Sequence, residues 1–229
     1  ERGDLRFSEH LVVAFSTEAL IGGGPFPGTW RFVGPALGTR PAGVDFPWSW
    51  LDPIRRHVLI TLGTVNAASG GRFLDAAVAA AAGFEDRLQA IVVAPDGLID
   101  SAPRNVLVRP AVPQLGLLPH LDAVVCHAGH NTVCETLAHG IPLVVAPIRD
   151  DQPIIAQQVV DAGAGVRLRY GRAGPDDVAG ALRTVLESAS YRSAAKRIQG
   201  SFRAAGGPRA AADALGSLVA GATEAMPAR

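Results

Sequence analysis

His127, Gly129, Asn131, Thr132, Glu135, Asp151 and Gln152 bring an imidazole, a glycine, a hydroxyl, amides and carboxylates into one short stretch. Such a set can hold an anion and the hydroxyls around it. Residues 122–126 read as a short apolar strand, and His127-Ala-Gly-His-Asn-Thr132 offers small or polar residues where the chain reverses into a helix. The first N–H groups of that helix lack intrahelical partners. Together with the positive end of the helix dipole they face the carboxyl edge of the sheet, where open α/β folds bind phosphates. Gly129 permits close backbone approach, and His127 falls at the crevice rather than in the core.

The same residues have plainer uses. Thr132-Val-Cys-Glu135 fits a capping box, in which the Thr hydroxyl and the Glu carboxylate satisfy backbone donors without any ligand. Asp151, two residues ahead of Pro153, fits a helix cap equally well. Thr61-Leu-Gly63-Thr64 ends another strand and serves either a phosphate or a tight turn. Pro113-Gln114 reads as a helix start with Pro at its first position. Cys126, His127, His130 and Cys134 have the types and spacing of a metal set. A strand side chain at 126 and a helix side chain at 134 converge poorly, so no metal is expected.

The elements that must position these groups are strands at 57–61, 89–94, 105–108, 122–126, 143–146 and 165–168, with a helix near 70–82 and helices at 175–187, 190–205 and 208–221. Apolar strands without alternation, separated by helical stretches, imply a doubly wound parallel α/β sheet of about six strands covered on both faces. Ahead of it, 11–15 and 30–33 read as short extended pieces. Prolines 41, 47 and 53 predict a loosely docked lead-in over 36–54, with Trp48 and Trp50 as packing residues. Arg149 and Asp150 are expected to face solvent.

Composition narrows the partners. Formal charge is zero, which argues against nucleic acid or an anionic membrane recognised by bulk electrostatics. Lys196 is the only lysine and no G-x4-G-K-[ST] occurs, which removes a phosphate-loop lysine; no G-x-G-x-x-G follows a strand, which disfavours nicotinamide chemistry. Two cysteines, neither placed for a disulfide scaffold, fit a reducing cytoplasm. No run reaches the length of a membrane span. The first residue is Glu, and a fragment of a longer protein is expected.

His127-x-Gly129-x-Asn131-Thr132-x-x-Glu135-x4-Gly140-x-Pro142-x4-Pro147-x3-Asp151-Gln152 resembles the donor-binding signature of nucleotide-sugar glycosyltransferases of the GT-B fold, which set two Rossmann-like domains face to face. The resemblance extends to Thr61-Leu-Gly63-Thr64 and Pro113-Gln114, and is strongest to bacterial members acting on natural products and macrolides. It implies that 1–54 is the remnant of an acceptor domain with its linker, that 55–207 is the donor-binding domain, and that 208–229 is a C-terminal helix and tail. It also implies roles. Gly63, Thr64, His127, Gly129, Asn131 and Thr132 would hold the diphosphate, Val112 and Gln114 the base, Glu135 the ribose, and Asp151 and Gln152 the donor sugar. Plant members carry Trp where Ala111 stands.

The implied reaction is inverting transfer of a hexosyl group from UDP- or dTDP-sugar to the hydroxyl of a small-molecule acceptor. The nucleotide sugar is the substrate, and no cofactor or metal is expected. His127 would stabilise the leaving diphosphate, and the general base, usually a His, would lie in the acceptor domain. A nucleotide-sugar 2-epimerase or a non-catalytic nucleotide-binding module are the alternatives. The helix from 208 is expected to leave an apolar patch that favours a homodimer.

Overall fold

A computed structural model describes residues 7–38, 43–63 and 70–224, with side chains to 220. Its centre is a parallel sheet of six strands: β3 (Arg56–Thr61), β4 (Leu88–Val93), β5 (Val106–Arg109), β6 (Ala123–Cys126), β7 (Leu143–Val145) and β8 (Gly165–Arg167). Their spatial order is β5-β4-β3-β6-β7-β8. The chain therefore winds outward from β3 in one direction, then returns beside β3 and winds out in the other. The β3–β6 pair is the point where that direction switches. Thr61 and Cys126 are register partners at its carboxyl edge.

Strand side chains alternate between two cores, as a pleated backbone requires. Val58 and Ile60 face one side, against Phe73 and Leu74 of α2 (Gly71–Ala82) and Val178 and Leu182 of α6 (Pro175–Glu187). Leu59 faces the other, where α4 (His130–Ala138), α5 (Gln152–Asp161) and α7 (Ala189–Ala205) contribute Val133, Ile155 and Ile198. A short helix, α3 (Gln114–Leu117), follows β5; Pro113 is its cap rather than its first residue. At the amino edge of the sheet Asp122 accepts from Arg56 at 2.7 Å, Arg192 at 3.2 Å and the His57 backbone at 3.0 Å. The carboxyl edge is left open.

The first residues form a separate parallel pair, β1 (Val12–Ala14) and β2 (Trp30–Phe32), with α1 (Glu18–Ile21) between them. Leu20 of α1 is buried in the core beside α5 and α7, and Thr17 Oγ1 lies 2.8 Å from Ser201 Oγ. Gly34, at φ +76°, lies where a Cβ would press on the Phe202 carbonyl at 3.1 Å. The loosely docked lead-in predicted over 36–54 is not what 43–54 shows. Phe46 is buried, and Gln89 holds the segment by accepting from Asp52 N–H at 2.6 Å and donating to the Trp50 carbonyl at 2.7 Å. A buried strand side chain overrides the local preference of the prolines. Trp48 packs on Phe46 and rests its indole edge on Gly116 of α3.

The last helix, α8 (Gly207–Glu224), is rooted by a bond from Gly207 N–H to the Val33 carbonyl at 2.6 Å. Beyond Ala211 it exposes Leu215 and Leu218. No helix among the described residues is long and apolar enough to cross a membrane.

Candidate functional site

The carboxyl ends of β3 and β6 part at the switch point, and a cavity of about 760 Å³ opens there. Ligands of doubly wound sheets bind at this position because the loops diverge and leave a crevice. The cavity's centre is the turn from β6 into α4. Ala128 adopts φ +65°, which reverses the chain at once, and Gly129 caps the helix in an extended conformation (φ −64°, ψ 134°). The helix therefore starts at His130, earlier than a cap at Thr132 requires. The capping box does not form: Thr132 lies inside the first turn, and no side chain caps the helix. Val133 is the first residue to bond back, its N–H donating to the Gly129 carbonyl at 3.0 Å. The amides ahead of it belong to the first turn, which has no intrahelical acceptors for them, and Asn131 and Thr132 line the cavity.

His127 lies in a socket made by two missing side chains. A Cβ on Gly63 would come within 2.7 Å of its Cε1, and a Cβ on Gly129 would overlap its Nε2. Gly63 also needs its freedom for φ +71°, and its N–H is bonded to Thr61 Oγ1 at 3.2 Å. Burial lowers the pKa of His127 below the ordinary 6.5, the Asp151 carboxylate and the Thr61 backbone opposing it. Among the described residues no group, Thr61 included, stands in hydrogen-bond geometry to the buried Nδ1. Burial thus favours the neutral ring, and an anion in the cavity would favour its protonation.

One wall comes from the loop after β5, where Val112 and Gln114 line the cavity with Pro110 and Ala111. Gln114 Nε2 donates to Glu135 Oε2 at 2.6 Å, and Glu135 is buried on the cavity wall. The opposite wall is the turn between β7 and α5. Gln152 is buried there, and its Oε1 accepts from the Ile148 and Arg149 amides at 2.9 and 3.1 Å, tying the turn to the helix start. Asp151 is exposed, does not line the cavity and makes no side-chain cap bond; it acts on His127 only through its charge. Thr64 lies outside the described residues.

Among the lining residues without an assigned role in the sequence, Arg149, Asp150 and His130 carry ionisable groups. Arg149 and Asp150 are exposed, as expected, but at the cavity's lip, and Asp150 adopts φ +55°. His130 lines the cavity with Cys134 Sγ 3.6 Å from its Nε2. Burial pushes the thiols of Cys126 and Cys134 up to about 12. Among the described residues no three His, Cys, Asp or Glu side chains converge as a metal set.

Residues 86–218 match the family described as the erythromycin biosynthesis protein CIII-like, C-terminal domain. The chain is 36% identical over 198 residues to 4'-demethylrebeccamycin synthase of Lentzea aerocolonigenes, covering 86% of this chain and 47% of that protein. It is 32% identical over 194 residues to demethyllactenocin mycarosyltransferase of Streptomyces fradiae, covering 82% and 41%. The chain thus spans less than half of these relatives. Among solved structures, the glycotransferase of kitacinnamycin superposes with a TM-score of 0.77 at 25% identity over 91% of this chain and 55% of its own. The calicheamicin glycosyltransferase CalG4 shares the fold with a TM-score of 0.77 at 24% identity, over 93% and 55%. The fold is that of the C-terminal half of these GT-B glycosyltransferases, and the chain belongs to the erythromycin biosynthesis protein CIII-like C-terminal domain family.

Proposed function

We propose that this chain is the donor-binding half of a glycosyltransferase that moves a hexosyl group from UDP- or dTDP-sugar to a hydroxyl of a small-molecule acceptor. Residues 1–54 are then the end of a preceding acceptor domain with its linker, 55–207 the donor domain, and 208–229 a helix and tail running back toward that neighbour. The protein acts in the cytoplasm, without metal or cofactor.

One observation carries the reading: a helix start with no side-chain cap beside a socketed imidazole, both at the switch-point cavity. In the reaction the acceptor oxygen attacks the anomeric carbon from the face opposite the nucleotide. The C–O bond to the diphosphate breaks, its electron pair passes to the phosphate oxygen, and the configuration inverts. Amides at Asn131 and Thr132, the helix dipole and His127 stabilise that growing charge, each preorganised donor contributing about 2–4 kcal/mol in a dry site. The acceptor's proton goes to a base in the preceding domain. Relatives that span about twice this chain, one of them a mycarosyltransferase, support transfer and a second domain.

Calorimetric titration of the purified protein with UDP, dTDP, GDP and ADP, in the presence of a chelator, tests the reading. Saturable uptake of UDP or dTDP is expected, with little transfer to any acceptor by this chain alone. Failure to take up any nucleoside diphosphate overturns it.

A further inference from the structure

Among the described residues one permanent cation, Arg149, lines the cavity. A nucleoside diphosphate brings several negative charges, against which the helix end supplies about half a unit. Arg149 is built to answer the rest. Its backbone is fixed, because the amide bonds to the buried Gln152 at 3.1 Å. Its tip is loose: Nε stands 3.5 Å from Asp150 Oδ2, and the Nη atoms have no partner among the described residues. That pair is long for a charge-assisted bond, and 53% and 73% of the two side chains are exposed, so it holds the guanidinium weakly. The residue follows β7, which pairs directly with the strand that ends at His127. An oxyanion resting against the α4 amides would therefore lie between the imidazole and this fork.

We propose that Arg149 leaves Asp150 when the donor binds and closes a bidentate contact on an oxyanion beyond the first phosphate. That oxyanion is the terminal phosphoryl group or a carboxylate on the sugar, since the planar fork matches both. The proposal rests on the donor-domain reading above. Asp150 is then the weak competitor that the donor displaces from the guanidinium.

The test uses whichever of UDP and dTDP the wild-type protein takes up, its monophosphate, and UDP-glucose against UDP-glucuronate, titrated into wild type, Arg149→Gln, Arg149→Lys and Asp150→Asn. Arg149→Gln should weaken the diphosphate about tenfold, the value of one charged hydrogen-bonding contact, and leave the monophosphate unchanged. Arg149→Lys should recover only part of the loss, and Asp150→Asn should tighten binding. A loss confined to UDP-glucuronate supports the clamp and assigns it to the sugar carboxylate. Equal affinity of wild type and Arg149→Gln for every ligand overturns the clamp alone. No uptake of any nucleotide by wild type overturns the donor-domain reading and the clamp with it.

Discussion

Gln114 donates its side-chain amide to the buried carboxylate of Glu135 at 2.6 Å, tying the start of α3 to the second turn of α4. The bond joins the wall proposed for the base to the wall proposed for the ribose. It also orients Glu135 with the cavity on one side. Replacing Glu135 by Ala removes the acceptor and leaves the half-buried Gln114 amide without it, a loss of about 1 kcal/mol. Nucleotide affinity should fall about tenfold or more in Glu135→Ala and less in Gln114→Ala. The loss should be larger for UDP than for 2′-deoxy-UDP, because a carboxylate accepts from two vicinal hydroxyls at once. Titration of both nucleotides checks it, and equal losses would remove Glu135 from the ribose.

The glycine socket around His127 makes a sharper prediction. Gly129 has an ordinary negative φ, so Gly129→Ala adds a methyl without backbone strain, and its whole effect is the collision with the ring. Overpacking of this kind costs about 1–3 kcal/mol. The ring is expected to leave the cavity, with loss of nucleotide binding greater than any fall in Tm. In the double variant His127→Ala, Gly129→Ala the second change should add almost nothing, since the partner in the collision is gone. Additive losses in the cycle would place the effect of Gly129 elsewhere.

His127 also sets a pH dependence. Burial lowers its folded pKa below 6.5, so the unfolded chain takes up this proton first as pH falls. Its contribution to stability is therefore complete above 6.5 and is lost as pH drops toward the folded value. Nucleotide binding runs the other way. A diphosphate favours the imidazolium, so affinity should rise on acidification from pH 8 to about 6, with uptake of a proton seen as a buffer-dependent heat. His127→Ala should flatten this slope, and with the proposed acceptor domain present it should depress kcat more than nucleotide affinity. A slope that survives His127→Ala would assign the proton to another group.

Most of the architecture was legible because it depends on local pattern. Runs such as Val58-Leu-Ile60 and Val124-Val125, apolar on both faces, mark central strands of a parallel sheet, and each strand lies within two residues of its expected span. The helix start at His130 was not legible. It follows from Ala128 at φ +65°, a conformation that no pattern announces at an alanine and that tertiary packing must hold. The purpose of Gly129 was legible only in kind. Close approach was expected, but what approaches is the ring of His127. Arg149 carried no local signal, since its place at the lip depends on the turn pinned by Gln152.

The last helix yields a prediction about assembly. α8 is held at its root, by the Gly207 bond to Val33 and the burial of Ala211, while Leu215 at 53% and Leu218 at 41% face outward further along. Burying one leucine side chain yields about 1.5–3 kcal/mol, so two on one helix face favour contact with another apolar surface. For this chain alone the available surface is a second copy. Light scattering should show self-association that grows with concentration, and Leu215→Glu with Leu218→Glu should abolish it while leaving Tm within about 2 °C, as exposed substitutions on a helix surface do. A wild-type protein that stays monomeric at high concentration would show that this face needs no cover.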